Sequence, residues 1–140
     1  MSFEAKDFYE LALWLATTKK DEASFRSAIS RAYYAAHLLA VEKAQSRKRF
    51  APKGTGDDHM GVIRALNLGK TNTIATRLVK LLARRTHADY HLKTSDDIQE
   101  VCDYCKELRR ISASHVGVDQ SFWEQAKADT EKILNLLQTL

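Results

Sequence analysis

The chain has 140 residues, of which 44% are hydrophobic and 29% are charged, values typical of one globular domain. One proline and five glycines are too few for the many tight turns of an all-β fold, so the composition predicts an all-α protein. No stretch approaches the roughly 18 uncharged apolar residues of a membrane span, and charged residues stand where a signal peptide would be apolar. We therefore expect a cytoplasmic protein without membrane association, in which the two cysteines are reduced thiols.

The net charge of +4 is concentrated in the middle of the chain. Positions 43–85 hold eleven Lys or Arg residues against two Asp or Glu residues. Such a segment can attract a polyanion such as nucleic acid. The alternative is a set of ordinary solvated helix faces that pair with the acidic C-terminal third. Composition alone leaves both interpretations open.

Two helices are predicted before residue 47. The first carries apolar residues at positions 8, 11, 12 and 15, and the second begins after Asp21, a residue that can cap it. The second helix is unusually rich in alanine, which allows a neighbouring helix to approach closely. We therefore place it at the centre of the fold. A basic loop from Phe50 to Gly56 follows, with the only proline of the chain.

Four further helical segments are predicted after this loop. A short helix from about Asp58 to Leu68 ends at Gly69, and a longer helix runs from about Thr71 or Asn72 to Leu92. The next helix begins after Ser95, with apolar residues at positions 98, 101, 102, 105, 108 and 111. A last amphipathic helix carries apolar residues from 122 to 137.

Cys102 and Cys105 form a C-x-x-C motif, which in other contexts marks a redox pair or half of a zinc site. No second cysteine pair and no βαβ pattern accompanies it. Both cysteines fall on the apolar face of a predicted helix, which favours packing in the core. His59, beside Asp57 and Asp58 at a helix start, is interpreted as a polar neighbour of these acids, and we expect no metal site.

The segment 77–91 brings basic groups, imidazoles and a carboxylate within a few helical turns. At about 100° per residue, one stripe is expected to be basic and to face solvent, and it consists of Arg77, Lys80, Arg84, His87 and His91. Arg85 and Asp89, four residues apart, fall on a second stripe among apolar side chains, where only a paired charge is tolerated. This pair is either a structural device or the fixed floor of a site.

Three segments carry a resemblance: the run Ser27 to Ala36, His59 with Gly61-Val62-Ile63, and Arg85-Thr86-His87-Ala88-Asp89-Tyr90. In this order and spacing they resemble the HEPN domain family (higher eukaryote and prokaryote nucleotide-binding), and in particular its small stand-alone bacterial and archaeal branch. The likeness spans about residues 3–108. It implies an up-and-down bundle of four to five main helices plus a short helix, which often forms a homodimer.

Many proteins of that family are metal-independent ribonucleases of toxin–antitoxin or other defence systems, frequently encoded beside a minimal nucleotidyltransferase. In catalytic members an Arg is followed a few residues later by a His, and the pairs of two subunits meet in a dimer cleft. The resemblance implies that Arg85 binds phosphate, that His91 is the acid and base, and that Asp89 orients Arg85. No metal or other cofactor is implied. The basic groups expected to bind nucleic acid are Arg47, Lys48, Arg49, Lys53, Arg77, Lys80, Arg84 and His87.

The sequence departs from the toxin pattern at its presumed centre. Lys93 stands two residues after His91, where toxins typically carry a Tyr, and Tyr90 occupies the place of the catalytic His. In an unbroken helix, Arg84 rather than Arg85 would be aligned with His91. Three functions are therefore weighed: an RNA-binding homodimer that cleaves RNA, a non-catalytic module that partners a nucleotidyltransferase antitoxin or other effector, and a binder of a free nucleotide.

Overall fold

The computed structural model describes residues 4–90, 102–114 and 117–140. These residues form helices only, with no β-strand among them, so the predicted all-α helical bundle is confirmed. None of the helices in this part of the chain is long and apolar enough to cross a membrane. The helices are α1 (Ala5–Thr18), α2 (Glu22–Ser46), α3 (Asp57–Leu66), α4 (Asn72–Tyr90), α5 (Asp103–Ser114) and α6 (Gln120–Gln138), with a 3-10 turn at Gly69–Thr71.

Helix α2 is the central element of the bundle. The Asp21 carboxylate accepts a hydrogen bond from the Ser24 backbone N–H at 2.8 Å and so caps its first turn. The helix packs against α1, α3, α4 and α6. Small side chains make this possible, and the fully buried ones are Ala28, Ala32, Ala35, Ala36, Ala40 and Ala44. The predicted central position of the alanine-rich helix is confirmed.

Helix α4 lies between α2, α5 and α6 and buries the apolar stripe that its sequence predicts. The buried members of that stripe are Ile74, Leu78, Leu81, Leu82 and Ala88. Arg26 of α2 holds the last turn of α4, because its Nη1 donates to the carbonyl oxygens of His87 at 3.2 Å and Ala88 at 2.8 Å. The predicted continuation of this helix to Leu92 lies outside the described residues.

Helices α5 and α6 cover the remaining faces of α4. Helix α5 buries Leu108 and Ile111. Asp119 caps α6 by accepting a hydrogen bond from the Phe122 backbone N–H at 2.9 Å. The predicted last amphipathic helix is confirmed, and its buried residues include Phe122, Trp123, Ala126, Ile133 and Leu137.

The prediction that Cys102 and Cys105 pack in the core is wrong. Cys102 is exposed, and Cys105 is only half-buried. The physical reason is that α5 begins at Asp103, so Cys102 stands before the first turn instead of on the buried stripe of a longer helix. The predicted positions 95, 98 and 101 lie outside the described residues.

The loop between α2 and α3 is held against α3. A Cβ atom at position 61 would lie 2.8 Å from Phe50 Cε1, so glycine at this position allows the Phe50 ring to approach the helix closely. The Asp58 carboxylate accepts hydrogen bonds from the backbone N–H groups of Lys53 and Gly54, each at 2.9 Å. These contacts fix where the loop presents its basic side chains.

Candidate functional site

Three helices bring aromatic, histidine and charged side chains together at one place in the bundle. Helix α2 contributes one face, α3 contributes a residue of its first turn, and α4 contributes its last two turns. We call this group the Arg85 cluster, and its members are Ser30, Tyr33, Tyr34, His37, His59, Arg85, Asp89 and Tyr90.

Helical periodicity explains the contribution of α2. Tyr33 and Tyr34 follow Ser30 by three and four residues, and His37 follows them by four and three, which places all four on one face of the helix. Because α2 packs against both α3 and α4, this face meets His59 on one neighbour and the Arg85 region on the other. The central position of α2 therefore determines the composition of the site.

The guanidinium of Arg85 is held by one acid and one phenol. Its Nε lies 2.7 Å from Asp89 Oδ2, and its Nη2 donates to the Tyr34 hydroxyl at 3.2 Å. The Nε–H bond is not directed at the carboxylate, so the first contact is an ion pair and not a hydrogen bond. Among the described residues, Nη1 has no hydrogen-bond partner.

Three tyrosine rings surround the same guanidinium. The Arg85 Cζ atom lies 5.9 Å from the ring centroid of Tyr33, 5.4 Å from that of Tyr34 and 5.5 Å from that of Tyr90. Rings at these distances stabilise a cation that has lost much of its hydration. Burial lowers the pKa of Arg85, but Tyr34 and Asp89 outweigh it and the net pKa is raised, so the side chain stays charged.

Asp89 connects Arg85 to α2. Its Oδ2 accepts a hydrogen bond from the Ser30 hydroxyl at 3.2 Å, and its side chain is 24% exposed, compared with 14% for Arg85. The pair is therefore partly buried, as the sequence predicts. Of the three predicted catalytic residues, Arg85 and Asp89 lie together, and His91 lies outside the described residues.

A phenol and two imidazoles form the other half of the cluster. The Tyr33 hydroxyl and His59 Nδ1 share a hydrogen bond of 2.7 Å. The His37 ring centroid lies 4.6 Å from that of His59 and 5.7 Å from that of Tyr33, on which it stacks. His37 is buried, and its Nδ1 has no hydrogen-bond partner in the part of the chain that the structure describes.

Both imidazoles are shifted towards their neutral forms. Burial, together with the neighbouring His59, lowers the pKa of His37 to about 4. Burial and the positive charge of Arg85 lower the pKa of His59, while Asp58 raises the pKa of both rings by a smaller amount. At neutral pH the cluster therefore combines a charged guanidinium with neutral imidazoles, which can accept a proton.

The prediction that a basic stripe of α4 faces solvent is wrong for Arg84 and His87. Arg84 is 8% exposed, its Nε donates to Asp129 Oδ2 at 3.4 Å, and its guanidinium lies 5.2 Å from the Phe122 ring centroid. His87 is fully buried against Phe122 and lies 3.3 Å from the Ser112 hydroxyl. The physical reason is that α6 covers this stripe and places an acid opposite Arg84.

The other residues predicted to bind nucleic acid lie in two places, on α4 and in the connection from α2 to α3. Arg77 is half-buried with its Nη1 3.8 Å from Asp129, whereas Lys80 is exposed. Since Arg47 follows His37 by ten residues of helix, the connection begins about 15 Å along α2 from the Arg85 cluster. Its exposed basic side chains are Arg47, Lys48, Arg49 and Lys53.

The sequence interpretation missed six of the eight members of the cluster as site residues, namely Ser30, Tyr33, Tyr34, His37, His59 and Tyr90. The available signal was the three-and-four spacing of polar and aromatic residues within an otherwise alanine-rich helix. His59 is in contact with aromatic rings of α2, so it is more than the polar neighbour of two aspartates that its local sequence indicates.

The described residues contain no group of three or more His, Cys, Asp or Glu side chains arranged to hold a metal ion. No family model, curated protein or solved structure matches this chain. The chemistry of the Arg85 cluster is therefore the basis on which a function has to be inferred.

Proposed function

We propose that the protein is a HEPN-type homodimer that binds RNA and cleaves it at the Arg85 cluster without a metal ion. The observation that carries this proposal is the convergence of a charged guanidinium and an exposed tyrosine ring of α4 with a neutral imidazole of α3. Each of these groups has a role in cleavage of a phosphodiester by the neighbouring hydroxyl of the same RNA strand.

RNA carries its own nucleophile, the 2′-hydroxyl. A base removes the proton of this hydroxyl, the 2′ oxygen attacks phosphorus, and the bond to the 5′ oxygen breaks as an acid protonates that leaving oxygen. A guanidinium stabilises the charge that develops on the phosphate oxygens. The products are a 2′,3′-cyclic phosphate and a 5′-hydroxyl, so the reaction needs no further reactant.

Arg85 is the proposed phosphate ligand. The ion pair with Asp89 engages Nε and the hydrogen bond to Tyr34 engages Nη2, so Nη1 is the group that can bind a phosphate oxygen. The contacts with Asp89 and Tyr34 keep the plane of the guanidinium fixed while Nη1 binds the phosphate oxygen. Asp89 is therefore a positioning residue for Arg85 in this proposal.

Two histidines are candidates for proton transfer. The HEPN resemblance favours His91, which follows the Arg85 segment. The geometry favours His59, because Tyr33 fixes its Nδ1 and the lowered pKa keeps the ring neutral at physiological pH. Among the described residues, the Nε2 atom of His59 has no hydrogen-bond partner. The two assignments are separated by mutating each histidine alone.

Tyr90 is the proposed contact for an RNA base. Its side chain is 64% exposed at the rim of the cluster, and unpaired bases stack on exposed aromatic rings. The basic connection after α2 supplies attraction to the RNA backbone at a distance from the cluster. This combination favours a single-stranded RNA with one phosphate at Arg85.

The test is a cleavage assay on a pool of structured and single-stranded RNA in the presence of EDTA. EDTA suppresses contaminating metal-dependent nucleases. We expect the wild-type protein to cleave and Arg85→Ala to lose at least about 100-fold in rate, since one charged transition-state contact contributes on that order. His59→Ala and His91→Ala identify the proton-transfer residue, and Arg64→Ala, which removes an exposed arginine of α3, is the matched control.

Two results would contradict the proposed ribonuclease. One is the absence of cleavage by a folded wild-type protein, and the other is cleavage that persists unchanged in Arg85→Ala. Thermal melting of Arg85→Ala accompanies the assay, because loss of activity is informative only if the variant remains folded. RNA binding by the wild-type protein, measured at physiological salt against an acidic protein of similar size, tests the binding part of the proposal separately.

A second candidate function is a non-catalytic module that binds a nucleotidyltransferase or another effector. It is favoured by the pairing of Arg85 within the fold and by the exposed apolar side chains of Leu11 and Trp14 on α1, which are 41% and 61% exposed. In this case the folded wild-type protein should not cleave RNA. Arg85→Ala should lose stability under either function, because it leaves the partly buried Asp89 without its cation.

A further inference from the structure

Cys102 and Cys105 lie at the start of α5, outside the Arg85 cluster. Their sulfur atoms are 3.1 Å apart and share a hydrogen bond. Tyr104 lies between the two cysteines in sequence. Its hydroxyl is 2.6 Å from the Thr86 hydroxyl of α4, and this hydrogen bond connects the first turn of α5 to the bundle. A disulfide has an S–S length of about 2.05 Å, so about 1 Å of movement separates the two thiols from a bond.

The surroundings of Cys102 favour its thiolate form. Burial and the charge of Asp103 raise the pKa of this thiol, but hydrogen bonds from the Cys105 thiol and from the backbone N–H groups of Tyr104 and Cys105 outweigh them, and the net pKa is lowered. The Cys105 backbone nitrogen lies 3.4 Å from Cys102 Sγ. Because the thiolate is the nucleophile in thiol–disulfide exchange, the exposed Cys102 is the better attacking residue.

Cys102 also lines a cavity of about 410 Å³ between α3, α4 and the start of α5. Two acids, Asp103 and Glu107, line the same cavity, and Glu107 is paired with Arg110 at 2.8 Å. Three basic side chains line it as well: Arg64, Lys80 and Lys106. The balance of charge favours a small reactant that carries carboxylates.

We propose that Cys102 and Cys105 are a reversible thiol–disulfide site that reacts with small anionic disulfides. The Cys102 thiolate attacks one sulfur of the small disulfide, and the first small thiol leaves. Cys105 then loses its proton and attacks Cys102 Sγ, which closes the intramolecular disulfide and releases the second small thiol. Two electrons pass from the cysteines to the small disulfide, and the two released thiols carry the two protons.

The test uses the full chain with glutathione disulfide, an anionic small disulfide, as the probe. The protein is equilibrated in glutathione buffers of defined ratio, quenched with an alkylating reagent and analysed by mass spectrometry. We expect the wild-type protein to lose both alkylation sites without retaining glutathione. Cys105→Ser should stop at a mixed disulfide, and Cys102→Ser should react at least about ten-fold more slowly.

Three outcomes would overturn the proposal. The first is a wild-type protein that keeps both thiols in a large excess of glutathione disulfide, and the second is glutathione retained on both cysteines, with no intramolecular disulfide formed. The third is an equal rate with 2-hydroxyethyl disulfide, an uncharged probe, because the proposed preference for anions requires this probe to react several-fold more slowly than glutathione disulfide. Circular dichroism of the two serine variants verifies that both are folded.

Discussion

At the scale of single residues, His37 is a basic side chain that the fold keeps uncharged. It stacks on Tyr33 and lies beside His59, and its Nδ1 meets no hydrogen-bond partner in the described chain. Protonation would place a second positive charge near Arg85 in a buried site. The folded state therefore binds a proton at His37 less readily than the unfolded chain does.

We expect the free energy of unfolding to decrease as the pH falls from about 6.5 to about 4. The folded pKa of His37 is about 4, below the ordinary value of 6.5, so the unfolded chain takes up the proton first. The contribution of neutral His37 to the free energy of unfolding is fully present above pH 6.5 and is lost as the pH falls to about 4. Its full size is about 3 kcal/mol. Urea unfolding at pH 7.5, 6 and 5 measures it.

His37→Gln is the matched control for this pH dependence. The variant keeps a polar side chain of similar size and removes the titrating ring, so its stability should change less over the same range. Asp58, whose pKa is lowered chiefly by the Lys53 backbone N–H, titrates below this range. His59, whose pKa is also lowered, adds a pH dependence of the same sign, and this part remains in the variant. An equal pH dependence in the variant and the wild-type protein would contradict the assignment to His37.

The sequence predicts one part of the site correctly at this scale. The spacing of four residues places Arg85 beside Asp89, since such pairs meet on any helix. The contact of Tyr33 with His59 joins residues 26 positions apart on two helices, and no local period indicates it. Pairs within one helix could be predicted, whereas pairs that depend on how helices pack could not.

At the scale of elements, α4 has charged residues on two faces with different surroundings. The apolar stripe and its burial could be predicted from the period of the sequence. The surroundings of Arg84 could not, because the acid that makes its burial tolerable is Asp129, 45 residues later on α6. Arg77 approaches the same carboxylate, so Asp129 joins α6 to two turns of α4.

We expect Asp129→Ala to lower the free energy of unfolding by about 2 to 3 kcal/mol, because it leaves Arg84 buried without its acid. Burial already lowers the pKa of Arg84, which shows how weakly the surroundings solvate its charge. Urea unfolding at neutral pH measures the loss. Glu124→Ala, an equal change of charge at an exposed position of α6, should cost less than about 0.5 kcal/mol, and equal losses would contradict the prediction.

At the scale of the whole molecule, the basic middle of the sequence does not form one surface. Arg84 is turned into the contact with α6, and Arg85 lies in the cluster. The exposed basic residues are divided between the connection after α2 and the region of α3 and α4 that contains Arg64, Lys70 and Lys80. The excess of positive charge could be predicted from composition. Its distribution in space depends on which helices cover which faces, and composition does not contain that information.

We expect the double variant Arg47→Ala with Lys53→Ala to weaken binding of single-stranded RNA and to reduce its salt dependence. Each lost phosphate contact lowers the slope of log Kd against log salt by about 0.7, or about 1.4 for the pair. Fluorescence anisotropy across a salt series measures the slope. Lys19→Ala with Lys132→Ala removes two exposed charges elsewhere, and an equal loss of slope in that variant would contradict a role for the connection.

Helix α2 carries both the alanines of the core and one face of the Arg85 cluster. A molecule that contacts both Tyr34 and Arg85 therefore bridges α2 and α4 through two residues that are 51 positions apart in sequence. Thermodynamic linkage then ties occupancy to unfolding: whatever the cluster binds also resists denaturation of the whole bundle. Substitutions along α2 should therefore change the stability of the fold together with any affinity of the cluster for a ligand.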